Sequence, residues 1–409
     1  MGVEQEVTMK PVKQLMDRET ALRIIAENVE MIDRVERVPL EEASGRVLAS
    51  DAVAAFNVPP FDRCAMDGYG VKAQDTFGAT GFNPKRLKVI GVQHAGEVFQ
   101  REIGDGECVQ VATGSPLPKG ADSVVMVEYT KLDGEYVEIQ SPVYPNANTS
   151  PEGEDIKTGD AVVKAGEVLS PAKVGALAAL NIQSVEVYER PKVAIYSTGS
   201  EIRPLGVDLE PGQIYDVNSY TLSTVISRNG CVPVRKGIVV DDREAIESAV
   251  REASGYDLGV FSGGSSVGTR DLFAETVEGL GELLFHGLQV KPGKPTLFGL
   301  VEGTAIFGMP GYPTSCLSNA YVFLAPALRK LAGAPPSEPR TVTARMGKRI
   351  VSSSGREQFL TVAVEDGVAY PVFKKSGDIT SMANADGYII LPVNLDVIEE
   401  GEEVTVTLL

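Results

Sequence analysis

Histidine is almost missing from this chain, with only His94 and His286 among 409 residues. Cysteine is sparse as well: Cys64, Cys108, Cys231 and Cys316 lie far apart, with no Cys-x-x-Cys pair. That supply fits neither a zinc site nor a disulfide framework, so the thiols are expected to be buried and reduced. His286 has no nucleophile to serve, which leaves no hydrolase triad and makes both histidines structural or surface residues. No apolar run is long enough to span a membrane, and the N-terminus lacks the basic region of a signal peptide. The expected location is therefore cytoplasmic, with no membrane partner. Basic residues are in deficit, 38 Lys+Arg against 56 Asp+Glu for a net charge of -18. Neutralising a phosphate backbone takes basic surface, so a nucleic-acid partner is excluded. Repeats and low-complexity segments are absent too.

What remains is an ordinary globular composition, 43% hydrophobic and 23% charged, long enough for two to four domains at about 150 residues each. Residues 17–30 read as a helix capped by Asp17, with Ala21, Leu22, Ile24, Ile25 and Val29 on one face. A short helix follows at 40–43. From 51 to 149 the pattern changes to short alternating runs broken by Gly and Pro, which predicts an all-β module. Ser170-Pro171 opens a helix to about Leu180, with Ser as N-cap and Pro at the first helical position. This piece is expected to return onto the N-terminal helices and complete a discontinuous domain.

Beyond residue 191 strand and helix alternate. Strands are expected at 192–196, 232–240, 258–261 and 305–307, with a strand pair through 283–300. Helices are expected from an Asn218 cap to Gly230, from an Asp242 cap to about Ser254, at 272–280 and at 314–331. Such alternation implies a mostly parallel sheet covered on both faces, with ligands outside the carboxyl ends of its strands. Ala334-Pro335-Pro336-Ser337-Glu338-Pro339 is a linker, and 340–409 reads as a small β-barrel or sandwich.

Several glycine-bearing loops fall at that carboxyl edge. They are Ser197-Thr198-Gly199-Ser200-Glu201, the run from Ser262-Gly263-Gly264-Ser265-Ser266-Val267-Gly268 to Asp271, Lys291-Pro292-Gly293-Lys294-Pro295, and Gly308-Met309-Pro310-Gly311-Tyr312-Pro313-Thr314-Ser315. Glycine lets backbone N–H groups approach an anion. One glycine cluster alone is often only a turn, but four at one sheet edge point to a phosphorylated ligand. Surface lysines are usually just solvated. Two of them on a turn held by prolines and a glycine can instead converge on an oxyanion. Asp271 and Glu201 stand where they could hold a divalent cation between phosphates. Asp242 is most simply a cap, whereas Asp241 could face the ligand edge.

Taken with Phe61-Asp62-Arg63-Cys64-Ala65-Met66-Asp67-Gly68-Tyr69, residues 113–118, Gly153-Glu154-Asp155-Ile156 and residues 212–218, these motifs resemble the MoeA family, which includes the gephyrin E domain. The resemblance covers nearly the whole chain in the family's order. It implies a multidomain α/β plus all-β fold. A discontinuous helical linker domain would span 1–50 and 150–185 and a β module 51–149. A MogA-like doubly wound, molybdopterin-binding α/β domain would span 186–335, and a C-terminal β-barrel 336–409. It also implies a molybdopterin molybdenumtransferase of molybdenum cofactor biosynthesis. In that reaction adenylylated molybdopterin and molybdate or tungstate react with Mg2+ present and AMP leaves.

By the same resemblance, Lys291, Lys294 and Ser315 belong to the oxyanion pocket, with Arg356 and Ser381 as its other wall. Gly263, Gly264, Ser265, Ser266, Gly268, Pro310 and Gly311 line the pterin site. Asp241 and Asp271 are metal ligands with Glu201 nearby, and Asp271 and Glu201 also rank among the catalytic positions. Asp67, Thr113 and Asp155 are catalytic positions that the partner of a homodimer would contribute, since the cleft lies between subunits. The adenylyltransferase of the preceding step is an implied partner. The competing readings are that adenylyltransferase itself and a gephyrin-like scaffold. Three departures stand out: Ser200 where the family commonly has Asp, Gly287 where some members carry Lys, and Tyr312 where Asn is common.

Overall fold

The computed structural model describes residues 15–263, 272–352, 355–375 and 377–409. The first helix, Arg18–Asn28, starts where the Asp17 carboxylate accepts from Thr20 N at 2.9 Å, satisfying a donor the helix cannot use. Ala21 and Ile25, one turn apart, are buried in the large core that also holds Ile195, Leu258, Phe307 and Leu328 of the α/β unit. The Pro171–Ala179 helix, capped by Ser170 as expected, packs elsewhere. Its Leu177 joins Val38, Ala43, Leu48, Val185 and Val187, so of the two N-terminal helices it meets the short one, Leu40–Glu42, and not the first. The reason lies in strand pairing, because Val35–Pro39 runs antiparallel to Ser184–Tyr188 and Ala52–Val53 to Ala161–Val163.

The β module has one sheet of six strands, in the order Ser123–Met126, Gly68–Val71, Glu107–Val111, Lys85–Gln93, Tyr136–Ile139 and Thr130–Asp133. Successive side chains alternate faces. Cys108 therefore enters a core with Tyr69, Leu87 and Val137, and Val109 enters a second core with Cys64, Ile103 and Val124.

In the α/β unit the sheet order is Val232–Val239, Lys192–Thr198, Leu258–Ser262, Thr304–Met309, Leu297–Val301 and Gly281–His286. The first four strands are parallel, and the last two add antiparallel at one edge. The sheet's two faces carry separate cores. Phe298, Phe307 and Phe323 lie on one side, with Phe261 and Phe273 on the other. Tyr196 stacks on Phe261 at 4.6 Å between ring centroids, and truncating a buried Phe of this kind to Ala costs about 3–5 kcal/mol.

Two sequence expectations change here. Asn218 does not cap its helix, which spans Asn218–Arg228 with no side-chain bond at the Val217 cap position. Asp216 supplies the cap instead, accepting from Ser219 N at 3.1 Å. The long helix expected at 314–331 is an α-helix at Pro313–Asn319, a π turn at Ala320–Leu324 and a second α-helix at Ala325–Leu331. Pro326 has no N–H for the i−4 bond, so the ladder is interrupted just where the turn widens.

Five strands of the C-terminal region close on themselves: Glu357–Glu365, Val368–Pro371, Thr341–Met346, Glu403–Leu408 and Gly387–Leu391. Met346, Leu360, Val362, Leu391 and Val406 fill the interior, and closure removes the free sheet edges. The fold is thus the expected combination of a doubly wound α/β unit, a β module, helical linking segments and a terminal barrel.

Candidate functional site

The four parallel strands of the α/β sheet end at Thr198, Val239, Ser262 and Met309. The chain steps from the first strand to a neighbour on one side, then crosses to the other side. The crevice at this switch point opens between Thr198 and Ser262. The loops there are in close contact. Gly263 N donates to Met309 O at 3.1 Å. Its φ is +97°, and a Cβ would fall 2.9 Å from Thr198 Oγ1 and nearer still to the Thr198 carbonyl oxygen. Only glycine fits there without strain. A Cβ on Gly311 would lie 3.4 Å from Gly263 Cα, so the exposed Gly311 loop adjoins the same crevice. Pro310, between Met309 and Gly311, is buried. Gly264, Ser265, Ser266, Gly268 and Asp271 lie outside the described residues.

Two residues not taken as site residues from the sequence stand at this crevice. Buried Asp216 accepts from Ser197 Oγ at 2.8 Å, and that hydroxyl lies 3.5 Å from Ser262 Oγ. Asn218 Nδ2 donates to Gly311 O at 2.8 Å, while its buried Oδ1 has no partner among the described residues. Both lie in the 212–218 run that carries the family resemblance, where Asn218 alone read as a helix cap.

The lysine turn lies between the sheet and the barrel. Val290–Lys291 pairs in parallel with Glu357 and Gln358 of the barrel, and Glu357 N donates to Gln289 O at 3.0 Å. Arg18 Nε holds the Glu357 carboxylate at 2.6 Å from the N-terminal helix. Lys294 O accepts from Leu288 N at 2.8 Å and Thr296 N at 3.0 Å, so the backbone of the turn is fixed. Lys291 and Lys294 are half-buried and form no ion pair with a described residue. Two ammonium groups on one fixed turn, without an ion-pair partner among the described residues, make a local exception to an acidic chain.

Buried Ser315 sits in the first turn of the Pro313–Asn319 helix. Tyr312 at its cap position makes no side-chain bond, so Thr314 N and Ser315 N are not capped by it. An asparagine at this position could cap them. Thr314 Oγ1 donates to Asp378 O at 3.0 Å, tying this helix to the barrel segment that carries Ser381. Arg356 is half-buried and precedes the Glu357 pairing. Ser381 is fully buried, and its hydroxyl accepts from Lys374 N at 3.1 Å, so it fixes the wall's backbone. Strand pairing thus sets the lysine turn beside the barrel segment that follows Arg356, and the helix that carries Ser315 is tied to that turn through Asn319 and to the segment of Ser381 through Thr314. Gly287 has φ +101°, a conformation that would strain a lysine or any other side chain there.

Acidic groups mark the other flank. The Glu201 carboxylate lies over Gly199, whose φ of +151° and lack of Cβ leave room for it. Gly199 N donates to Val239 O at 3.4 Å, which sets the Glu201 loop beside the strand end that leads to Asp241. Asp241 and Glu201 are exposed. Asp242 caps the next helix by accepting from Ala245 N at 3.1 Å. No group of three or more His, Cys, Asp or Glu that could hold a metal occurs among the described residues.

Asp67, Thr113 and Asp155 stand apart. Asp67 Oδ1 accepts from Thr113 N at 2.6 Å and Thr113 Oγ1 at 2.9 Å. These bonds, the backbone one first, hold the Asp67 carboxyl below its ordinary range. Asp155 is exposed, with its N–H donating to Val58 O at 3.0 Å. Among the described residues, no strand pairing or hydrogen bond joins residues 56–156 to the lysine turn. Within one chain these acids are not brought to it.

A multidomain protein with a switch-point crevice, a cationic turn and a barrel wall is the class defined by this geometry. Residues 16–181 match the MoeA N-terminal region (domains I and II), residues 194–330 a probable molybdopterin binding domain, and residues 343–409 the MoeA C-terminal region (domain IV). The chain belongs to the MoeA family. It is 32% identical to a molybdopterin molybdenumtransferase of Haemophilus influenzae, over 91% of this chain and 93% of that protein. A crystal structure of a molybdopterin biosynthesis MoeA protein from Pyrococcus horikoshii superposes with a TM-score of 0.84 at 36% identity, covering 97% of this chain and all of that one. A second crystal structure of such a protein has a TM-score of 0.83 at 40% identity, covering 97% and 99%.

Proposed function

We propose that this chain is a molybdopterin molybdenumtransferase, inserting molybdate or tungstate into adenylylated molybdopterin with release of AMP. The observation that carries this reading is the pairing of the lysine turn with the barrel, next to the helix of Ser315, which bonds the turn through Asn319 and the barrel through Thr314. The ligand's own dithiolene sulfurs take the metal, so the chain's work is to hold two anions together. Two like charges in a partly dehydrated cleft repel by several kcal/mol, on the order of 4 kcal/mol for unit charges 4 Å apart at an effective dielectric of 20. The ammonium groups of Lys291 and Lys294 donate charge-assisted hydrogen bonds to the oxyanion and offset this. Ser315 adds a donor from the first turn of its helix, and Arg356 closes the far side. Gly263 and Gly311 keep the crevice open for the pterin and its phosphate.

Mg2+ is the implied cofactor. Glu201 and Asp241 are hard oxygen donors flanking adjacent strand ends, a fit to a cation that keeps several waters and takes one or two carboxylates plus substrate phosphates. Bound there with Asp271, it would neutralise phosphoanhydride charge. Asp67, Thr113 and Asp155 act from the second copy in a homodimer. Their isolation from the lysine turn within one chain supports this arrangement. The domain limits given from the sequence, a cytoplasmic location and transfer of the adenylylated ligand from a preceding adenylyltransferase complete the reading.

The test is incubation of the purified protein with adenylylated molybdopterin, Mg2+ and each oxyanion, following AMP and reconstitution of an apo-enzyme. Oxyanion-dependent AMP release is expected. Lys294→Ala should lower it by a hundredfold or more, about 2.7 kcal/mol, while adenylylated pterin still binds. Wild-type turnover by that variant at limiting molybdate overturns the pocket.

A further inference from the structure

The helix carrying Ser315 and the turn carrying both lysines are joined through one side chain. Asn319 is fully buried and follows Ser315 by one helical turn, so the two share a face. Its Nδ2 donates one hydrogen to Gly293 O at 2.8 Å and the other to Thr296 Oγ1 at 2.6 Å. Thr296 Oγ1, itself buried, donates onward to Gly293 O at 3.0 Å. The network has one direction only. Turning the amide over would set Asn319 Oδ1 against the Gly293 carbonyl, acceptor against acceptor.

Gly293 lies flat against that amide. Its φ is +102°, and a Cβ there would fall 2.6 Å from Asn319 Cγ. The contact therefore leaves no slack between the turn and the helix. It has a cost, because Asn319 Oδ1 is buried without a partner among the described residues, and an unpaired buried acceptor is destabilising. An apolar side chain of the same shape would fill this space without that cost. What Asn319 adds is the pair of directed bonds.

We propose that Asn319 is a positioning residue for the oxyanion. By clamping Gly293 and Thr296 it fixes how far Lys291 and Lys294 stand from Ser315, and so the span in which a tetrahedral dianion is held. This inference deepens the functional reading above and rests on it. Misplacing a binding group by about 1 Å can cost up to a hundredfold, so the effect should fall on the oxyanion and spare the pterin.

The test compares Asn319→Leu and Thr296→Val with the unaltered chain, measuring KM for molybdate, KM for adenylylated pterin, tungstate binding by calorimetry, and Tm. Asn319→Leu is expected to raise molybdate KM about tenfold or more and to weaken tungstate binding in parallel, with the pterin KM within about twofold. Thr296→Val removes two bonds of the network, the one its hydroxyl accepts from Asn319 and the one it donates to Gly293 O, but keeps the Asn319–Gly293 bond, and is expected to raise molybdate KM about threefold. Loss of Tm with molybdate KM and tungstate affinity unchanged, or equal movement of both KM values, overturns the positioning role. If Asn319→Leu fails to fold, Thr296→Val decides by the same criteria. Lys294→Ala is run alongside. Should it too leave oxyanion binding untouched, the functional reading fails, whereas a response from Lys294→Ala alone removes only Asn319.

Discussion

Lys291 and Lys294 leave a turn whose backbone is bonded to the barrel, to its own flanking residues and to Asn319 beneath it. Asp67 and Thr113 are bonded mainly to each other on the surface of a module whose sheet pairs with no strand of the α/β unit. One region is a rigid cationic socket. The other is a locally ordered acidic group reached through the linking segments. Local order needs only a few hydrogen bonds, whereas placing a group against a distant one needs continuous packing between them. Among the described residues the lysine turn has such packing toward the Ser315 helix, and Asp67 has none toward the lysines. A site needing both regions is then most simply completed between two copies, as a symmetric dimer would offer it twice.

Subunit mixing tests this contrast with the largest expected effect. Lys294→Ala and Asp67→Ala are each expected to be nearly inactive as pure proteins. Co-expressed in equal amounts, they should form mixed dimers with one intact site, giving about a quarter of wild-type activity if subunits pair at random. No recovery, with mixed dimers shown by mass spectrometry, would place both groups in the same chain's site.

Gly293→Ala sharpens the other side of the comparison. The added Cβ meets a positive φ, worth about 1–2 kcal/mol, and a collision with the Asn319 amide. A loss of about 2–4 kcal/mol in stability, read by urea denaturation, is expected. Combining it with Asn319→Ala relieves the collision and leaves only the backbone strain. The double variant should therefore be more stable than the sum of the singles by about 1 kcal/mol or more. Strict additivity would mean that the turn and the helix are not in rigid contact.

Much of this was legible in the sequence because the informative residues have local consequences. Ser170-Pro171 and Asp242 each specify a helix start through their own chemistry, and both do so in the structure. Alternating strands and helices gave the α/β unit, and the proline-rich linker at 334–339 announced the barrel. The failures are non-local. Asn218 has a capping residue's identity, but its amide is recruited by Gly311 across the crevice, leaving Asp216 to cap. The Pro171–Ala179 helix does return to an N-terminal helix, but strand pairing of 35–39 with 184–188 sets Leu177 against the short one at 40–43 and not against the first. Asn319 carries no motif at all. Its role arises from a turn some 26 residues earlier in the chain and could be read only once the two were folded together.

The smallest expected effect concerns Asp67, where the acidic region can be probed without any ligand. The Thr113 backbone and hydroxyl bonds lower its pKa from the ordinary aspartate value of 3.8. The sign follows directly. A folded-state pKa below the unfolded one contributes stability that is present above pH 3.8 and lost as pH falls through the lower folded value. Between neutrality and mild acid this contribution should be flat, so no pH dependence there belongs to Asp67. An NMR titration should show the Asp67 carboxyl changing below pH 3.8, with the Thr113 amide proton moving through the same midpoint. Asp67→Asn keeps the shape but removes the charge, and should abolish that linked shift while leaving the strand pairing of Gly68–Val71 intact. A midpoint at or above the ordinary value would mean that Thr113 does not hold the carboxylate in solution. The acidic region would then lack even the local order that sets it against the lysine turn.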